Sequence, residues 1–301
     1  MSIRPYAVTR DRLNSHTIMP DHRLLILFAH PDDEAFPVGG TIAMHTARGV
    51  TARLITTTSG ELGEIRQPGS ATRQTIGEVR RGELAEAIKE LGIESHEVLQ
   101  YRDSGMAGWD DNHHPKAFVQ ASEHEVVARL VFEIRRFRPQ VILTFGLDGL
   151  YGHPDHIAIC NHATTAFRLA ADDSAFPHHM ALGIQPHQTD RLFYSVRPRG
   201  FRVHMAETLQ AAGVDFPMPS SDRANDGADP ETIDLTVDAS DGLEAKMACI
   251  KRHFTQLQPD WPYERVPREV AASVIGVEHF IRAEPPVLDG ETVPADFFAG
   301  L

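Results

Sequence analysis

The chain has 301 residues, is 42% hydrophobic, and carries a formal net charge of −13, with the acids spread along it. That apolar fraction supports a sizeable core, and the acidic surface argues against partners such as nucleic acid or an anionic membrane, which require a basic face. Cys160 and Cys249 form neither a disulfide framework nor a CxxC pair. With no signal-peptide pattern and no membrane-length apolar run, the expectation is a soluble cytoplasmic protein, with a homo-oligomer neither required nor excluded.

Residues 1–20 are mixed and polar and read as an arm or an added sheet edge. The apolar run 24–29 predicts a buried strand, which stops abruptly at His30-Pro31-Asp32-Asp33-Glu34 and leads into a helix over 41–48. A β-branched stretch predicts a strand at 51–58, followed by a glycine-containing loop. A helix is predicted over 76–91, with Leu84, Ile88 and Leu91 on one face and Gly92 as its stop. A weaker strand at 97–101, a polar loop over 102–115, a helix over 123–137 and a strand at 141–145 follow. Strands alternating with helices predict an α/β fold: a Rossmann-like, mostly parallel sheet with helices on both faces. The C-terminal third is less regular. It predicts strands at 191–196 and 276–282, a loop over 217–232 and a helix over 243–254. Residues 1–175 are expected to form the core, and 176–301 to belong to the same domain as a cap region over the active site.

The strand at 141–145 ends in Gly146-Leu147-Asp148-Gly149-Leu150-Tyr151-Gly152-His153-Pro154-Asp155-His156, where Pro154 suits the first turn of a helix running to about 169. Two ionisable clusters thus follow two strands, and in a parallel sheet both face the same edge, where such folds bind ligands. Unpaired carboxylates are costly to bury, so the clusters read as a site. His30 and Asp33 are three apart, as are His153 and His156. Two imidazoles and a carboxylate match a catalytic zinc site that keeps one position open. Such a metal acidifies water and polarises a carbonyl, and Asp32 is placed to take the proton. A hydrogen-bonded polar network and a carboxylate-only magnesium site are the competing readings, the latter disfavoured by the histidines. No GxGxxG opens a helix after the first strand, which excludes a dinucleotide-binding oxidoreductase.

These motifs resemble the two signatures of the PIG-L/LmbE-like metal-dependent N-deacetylases. The likeness continues through Gly60-Glu61-Leu62-Gly63-Glu64, Arg80 to Leu84 and Tyr101 to Met106, and spans roughly residues 22–170. It looks most like the branch of mycothiol-biosynthesis deacetylases and mycothiol-conjugate amidases. The resemblance implies His30, Asp33 and His156 as ligands to Zn2+, with Fe2+ also accepted, and Asp32 as general base. It further implies His153 as general acid or oxyanion donor, Asp155 as the residue orienting a histidine, and Tyr151 as a mobile polarising group. Arg80, Asp103 and Glu64 match positions that contact the sugar or its polyol, while Glu34 reads as a structural ion-pair partner. The implied reaction is hydrolysis of an N-acetyl group on a small-molecule amino sugar or its glycoside. The alternatives are cleavage of a thiol conjugate and a noncatalytic sugar-binding role. Pro37 departs from the branch, which has a small polar residue there.

Overall fold

The computed structural model describes residues 21–293 and 296–301, so the expected arm at 1–20 lies outside the described residues. In chain order the elements are β1 (Arg23–Phe28), α1 (Gly39–Ala47), β2 (Thr51–Thr58), α2 (Ile76–Glu90), β3 (Ser95–Tyr101), α3 (Glu123–Phe137) and β4 (Val141–Phe145). A single distorted turn, α4 (Gly149–Gly152), then precedes α5 (Pro154–Ala170) and a short α6 (Pro177–Ala181). The chain continues through β5 (Arg191–Val196), α7 (Phe201–Ala211), β6 (Leu235–Asp238), α8 (Leu243–Arg252), α9 (Arg268–Ile275) and β7 (Val277–Glu284).

The seven strands form one mixed sheet in the order β3-β2-β1-β4-β5-β7-β6. The first five in that order are mutually parallel, and β7 enters antiparallel to both β5 and β6. Leu24 to Phe28 of β1 are fully buried, as a central strand covered on both faces requires. With the usual right-handed crossover, this strand order puts α1 and α2 on one face and α3 on the other. The contacts agree: α8 packs on α1 and α2, and α3 packs on α5.

Successive strands step from β1 to β2 to β3, and the chain then returns to the other side of β1 as β4. This reversal opens a crevice at the carboxyl ends of β1 and β4, the topological switch point at which open α/β sheets place ligands. The helix that leaves it, α5, is anchored at its far end by the buried Arg135 of α3. That guanidinium donates to the carbonyls of Leu169 and Ala170 in the last turn and of Asp172 and Ala175 in the loop that follows.

Five of the elements named above were not expected from the sequence: the short α4 and α6, and α7, α9 and β6. Helix α7 buries only Ala206 and Leu209, so its apolar periodicity is faint, whereas α9 has an apolar face but spans only eight residues, too short for the pattern to stand out. Strand β6 has four residues and becomes a strand by pairing with β7. Among the described residues, no helix is long and apolar enough to cross a membrane.

Candidate active site

The loop after β1 folds back on itself through Asp33. Its Oδ2 accepts the backbone N–H of His30 at 2.7 Å and of Ala29 at 3.2 Å, and its Oδ1 lies 3.4 Å from His156 Nε2. The loop after β4 supplies the opposite wall. There His153 is the N-cap of α5, and its Nδ1 accepts the Asp155 N–H at 3.2 Å. Asp155 and His156 then occupy the first turn, and the His156 ring stacks on Phe145 of β4 with centroids 3.9 Å apart. Gly149, at φ +61, permits this close approach, because a Cβ there would lie 3.0 Å from that of His156.

With both rings neutral, as metal ligands must be, their hydrogen-bond partners assign the tautomers. His156 Nδ1–H donates to the Gly149 carbonyl at 3.1 Å, which leaves a lone pair on Nε2. His30 Nε2–H donates to Asp155 Oδ2 at 3.2 Å, which leaves a lone pair on Nδ1. Those two lone pairs face each other at 3.0 Å, and Asp33 Oδ2 stands 3.5 Å from His30 Nδ1. Two lone pairs and a carboxylate converging in a buried pocket require a positive charge, whether a proton or a metal ion. The donor set therefore fits a divalent cation with two nitrogen ligands and one carboxylate.

The electrostatics follow from this crowding. Burial would raise the Asp33 carboxyl, but His156 and His30 hold it well below the usual carboxylate range. Burial pushes His156 down to about 3 and His153 down to about 4. Burial would also lower His30, but Asp103, Asp155 and Asp33 around it raise it well above the ordinary imidazole value.

Asp32 sits beside this centre at φ +100, a backbone conformation that a non-glycine residue holds only under constraint. Burial pushes its carboxyl up to about 6, against the cation of Arg80. Arg80, from α2, lies under the loop: it donates to the carbonyls of Pro31 and, at 2.6 Å, Gly60, and its guanidinium is 3.3 Å from Asp32 Oδ2. Gly60, at φ +62, leaves the space Arg80 needs, since a Cβ there would lie 2.1 Å from Arg80 Nη1. Asp103, after β3, is buried and bonded to the N–H groups of Leu62 and Gly105, with Oδ1 3.7 Å from His30 Nε2.

The structure thus brings His30, Asp32, Asp33, Asp103, Asp155, His153 and His156 together, with Arg80 behind them. Tyr151 stands at the rim, its exposed ring centred 5.1 Å from that of His156. Glu64 stands apart: its exposed carboxylate pairs with Arg66 at 3.2 Å. The sequence reading missed the contributions of the Gly149 carbonyl, the Ser104 N–H, which donates to Asp155 Oδ2 at 2.9 Å, and His253, whose Nε2–H donates to Glu34 Oε1 at 2.5 Å. Backbone partners leave no side-chain signal, and His253 is one of seventeen histidines with no local motif around it.

Comparison with known proteins identifies the relatives of this chain. The PIG-L family profile, described as GlcNAc-PI de-N-acetylase, matches residues 25–167. A 1D-myo-inositol 2-acetamido-2-deoxy-alpha-D-glucopyranoside deacetylase of Thermobispora bispora is 37% identical, over 92% of this chain and 93% of that protein. A Streptomyces avermitilis protein of the same name is 35% identical, over 94% and 98% respectively. The solved structure of N,N'-diacetylchitobiose deacetylase from Pyrococcus horikoshii superposes with a TM-score of 0.60, over 86% of this chain and 83% of that one. At 19% identity that last likeness concerns the fold alone. Matched over more than nine-tenths of its length by relatives at more than a third identity, and by the family profile over residues 25–167, the chain belongs to the PIG-L family.

Proposed function

We propose that this N-deacetylase hydrolyses the acetamide of a 2-acetamido-2-deoxyglucopyranoside of inositol, with a divalent cation, zinc or ferrous iron, held by His30, Asp33 and His156. The observation that carries the chemistry is the pair of facing ring nitrogens, His30 Nδ1 and His156 Nε2, 3.0 Å apart and closed by the Asp33 carboxylate. When bound, the cation supplies Lewis acidity, acidifying water and polarising the amide carbonyl. The substrate is read from the relatives named above, which match this chain over nearly its whole length.

The chain's own residues supply the rest. Asp32 accepts a proton from the attacking water as the C–O bond forms, its buried carboxyl placed near the pH at which such transfer is efficient. His153 Nδ1 is occupied as an acceptor, so the neutral ring carries its proton on Nε2 and donates to the developing oxyanion. Tyr151 at the rim is a second donor for the same oxygen. As the C–N bond breaks, the proton taken by Asp32 is the one the leaving amine needs, so the reaction balances without a further acid. Arg80 orients Asp32, and Asp103, buried beside His30 with its carboxylate on the Leu62 and Gly105 N–H groups, holds the loops that would meet the sugar. Residues 176–301 complete the same domain and wall the crevice.

The test is amine release from the N-acetylglucosaminyl inositol, free N-acetylglucosamine, diacetylchitobiose and a mycothiol conjugate, with chelated and zinc-reconstituted enzyme. Metal-dependent release fastest on the inositol glycoside is expected. Release only from the conjugate would replace the deacetylase with an amidase, and no release from any substrate at full metal occupancy would overturn the assignment.

A further inference from the structure

Outside the metal centre, the described residues bring Glu34, Cys249 and His253 together with ligand atoms close enough to share an ion. All three are fully buried. Their hydrogen bonds argue for a different role. Glu34 Oε2 is occupied: it accepts the backbone N–H of Asp32 at 3.0 Å. Glu34 Oε1 accepts the Nε2–H of His253 at 2.5 Å and faces Cys249 Sγ at 3.7 Å. His253 Nδ1 is buried without a partner among the described residues. His253 follows the last turn of α8, with its N–H on the Ile250 carbonyl, and so belongs to a helix packed against α1 and α2. A chain of contacts therefore runs from a C-terminal helix through Glu34 to the peptide of Asp32, the residue held at φ +100.

We infer that His253 is a positioning residue for the general base: by fixing Glu34, it holds the Asp32 peptide in its constrained conformation and so aims the Asp32 carboxylate. A non-glycine residue in that region persists only where its surroundings over-determine it. Here the constraints come from two sides. Arg80 grips the Pro31 carbonyl and the Asp32 carboxylate, and Glu34 grips the Asp32 N–H. Without the imidazole, Glu34 is a buried carboxylate without its strongest donor, and its best response is to turn away and release the Asp32 peptide. A misplacement of about 1 Å in a catalytic group costs about 100-fold in rate. The inference rests on the reading of Asp32 as the base, and the test separates the two.

The experiment compares His253→Ala, His253→Gln, Asp32→Asn and the double variant His253→Ala/Asp32→Asn. Each is assayed for kcat, KM, metal per chain and thermal unfolding, on whichever N-acetylated compound the amine-release test shows to be the best substrate. His253→Ala is expected to lower kcat about 10- to 100-fold, with KM changed less than about two-fold and catalytic metal retained. His253→Gln, whose amide presents a donor near the Nε2 position, should recover most of that loss. In the Asp32→Asn background, removing His253 should cost little further, because both act through one group. Full kcat in His253→Ala with Asp32→Asn inactive overturns the positioning role alone, whereas full kcat in Asp32→Asn overturns the base assignment. If His253→Ala does not fold, a soluble His253→Gln without appreciable kcat refutes the inference. So does a second metal ion per chain that disappears with His253.

Discussion

Helix α1 begins where the loop after β1 ends, and its start is clamped by a buried ion pair that gives a quantitative prediction. Glu278 of β7 accepts the N–H groups of Gly40 at 2.9 Å and Thr41 at 2.8 Å, while Lys246 Nζ of α8 donates to Glu278 Oε1 and to the Ile275 carbonyl, each at 2.7 Å. Both charged residues are about 1% exposed. Lys246→Met keeps most of the buried stem and removes the cation. Breaking a buried pair from one side costs about 3–5 kcal/mol, chiefly because the remaining charge is uncompensated. Two amide donors and the helix N-terminus still hold Glu278, an arrangement worth up to about 2 kcal/mol, which places the expected loss near the lower bound, about 3 kcal/mol. At an unfolding entropy of about 2.1 cal/mol/K per residue, a chain of this length loses about 5 °C of Tm for that change. Thermal and urea unfolding of wild type, Lys246→Met, Glu278→Gln and the double variant provide the assay. Adding Glu278→Gln to Lys246→Met should recover about 1–2 kcal/mol by removing the stranded charge. A Lys246→Met protein within about 1 kcal/mol of wild type, or a double variant that loses the full sum of both single effects, would refute the reasoning.

Asp32→Asn is expected to keep its metal, measured by elemental analysis, and to lose about 10²- to 10⁴-fold in turnover; near-normal turnover would remove Asp32 from the proton transfer. His156→Ala should instead lose metal, so stoichiometric metal in that variant would displace His156 from the ligand set. Asp296 gives a pH signature in stability. Burial would raise its carboxyl, but His45, the Phe298 N–H and Arg48 hold it well below the usual carboxylate range. A depressed folded pKa means that its stabilisation is complete above the unfolded value near 3.9 and is lost as pH falls through the folded one. The stability gap between wild type and Asp296→Asn should therefore narrow by about 0.7 kcal/mol from pH 6 to pH 3.5 in urea titrations. A constant gap would show that the Asp296 charge contributes nothing.

The local alternation of elements was legible along most of the first two-thirds of the chain. The helix at 123–137 and the strands at 51–58, 141–145 and 191–196 fall where the pattern puts them, because each is bounded by turn residues and has a full apolar face. The weaker elements were not legible. Strand β6 draws its identity from hydrogen bonds to β7, α7 buries too little of itself to mark a period, and α9 is only eight residues long. The antiparallel entry of β7 between β5 and β6 is a matter of pairing, on which local composition is silent.

The same division holds for the site. Sequence alone determined which side chains could do the chemistry: His30, Asp32 and Asp33 after one strand, His153, Asp155 and His156 after another. It could do so because a short run of costly polar groups at a strand end marks a site wherever it occurs. Only the tertiary structure decided how those groups are used. It set the tautomers of His30 and His156 through Asp155 and the Gly149 carbonyl, and it turned Arg80 inward beneath Asp32 while leaving Glu64 paired with Arg66. It also brought His253 across 219 residues of chain to Glu34. Hydrogen-bond direction and burial are properties of groups in space, and residues distant in sequence acquire them only when the sheet closes and the helices pack.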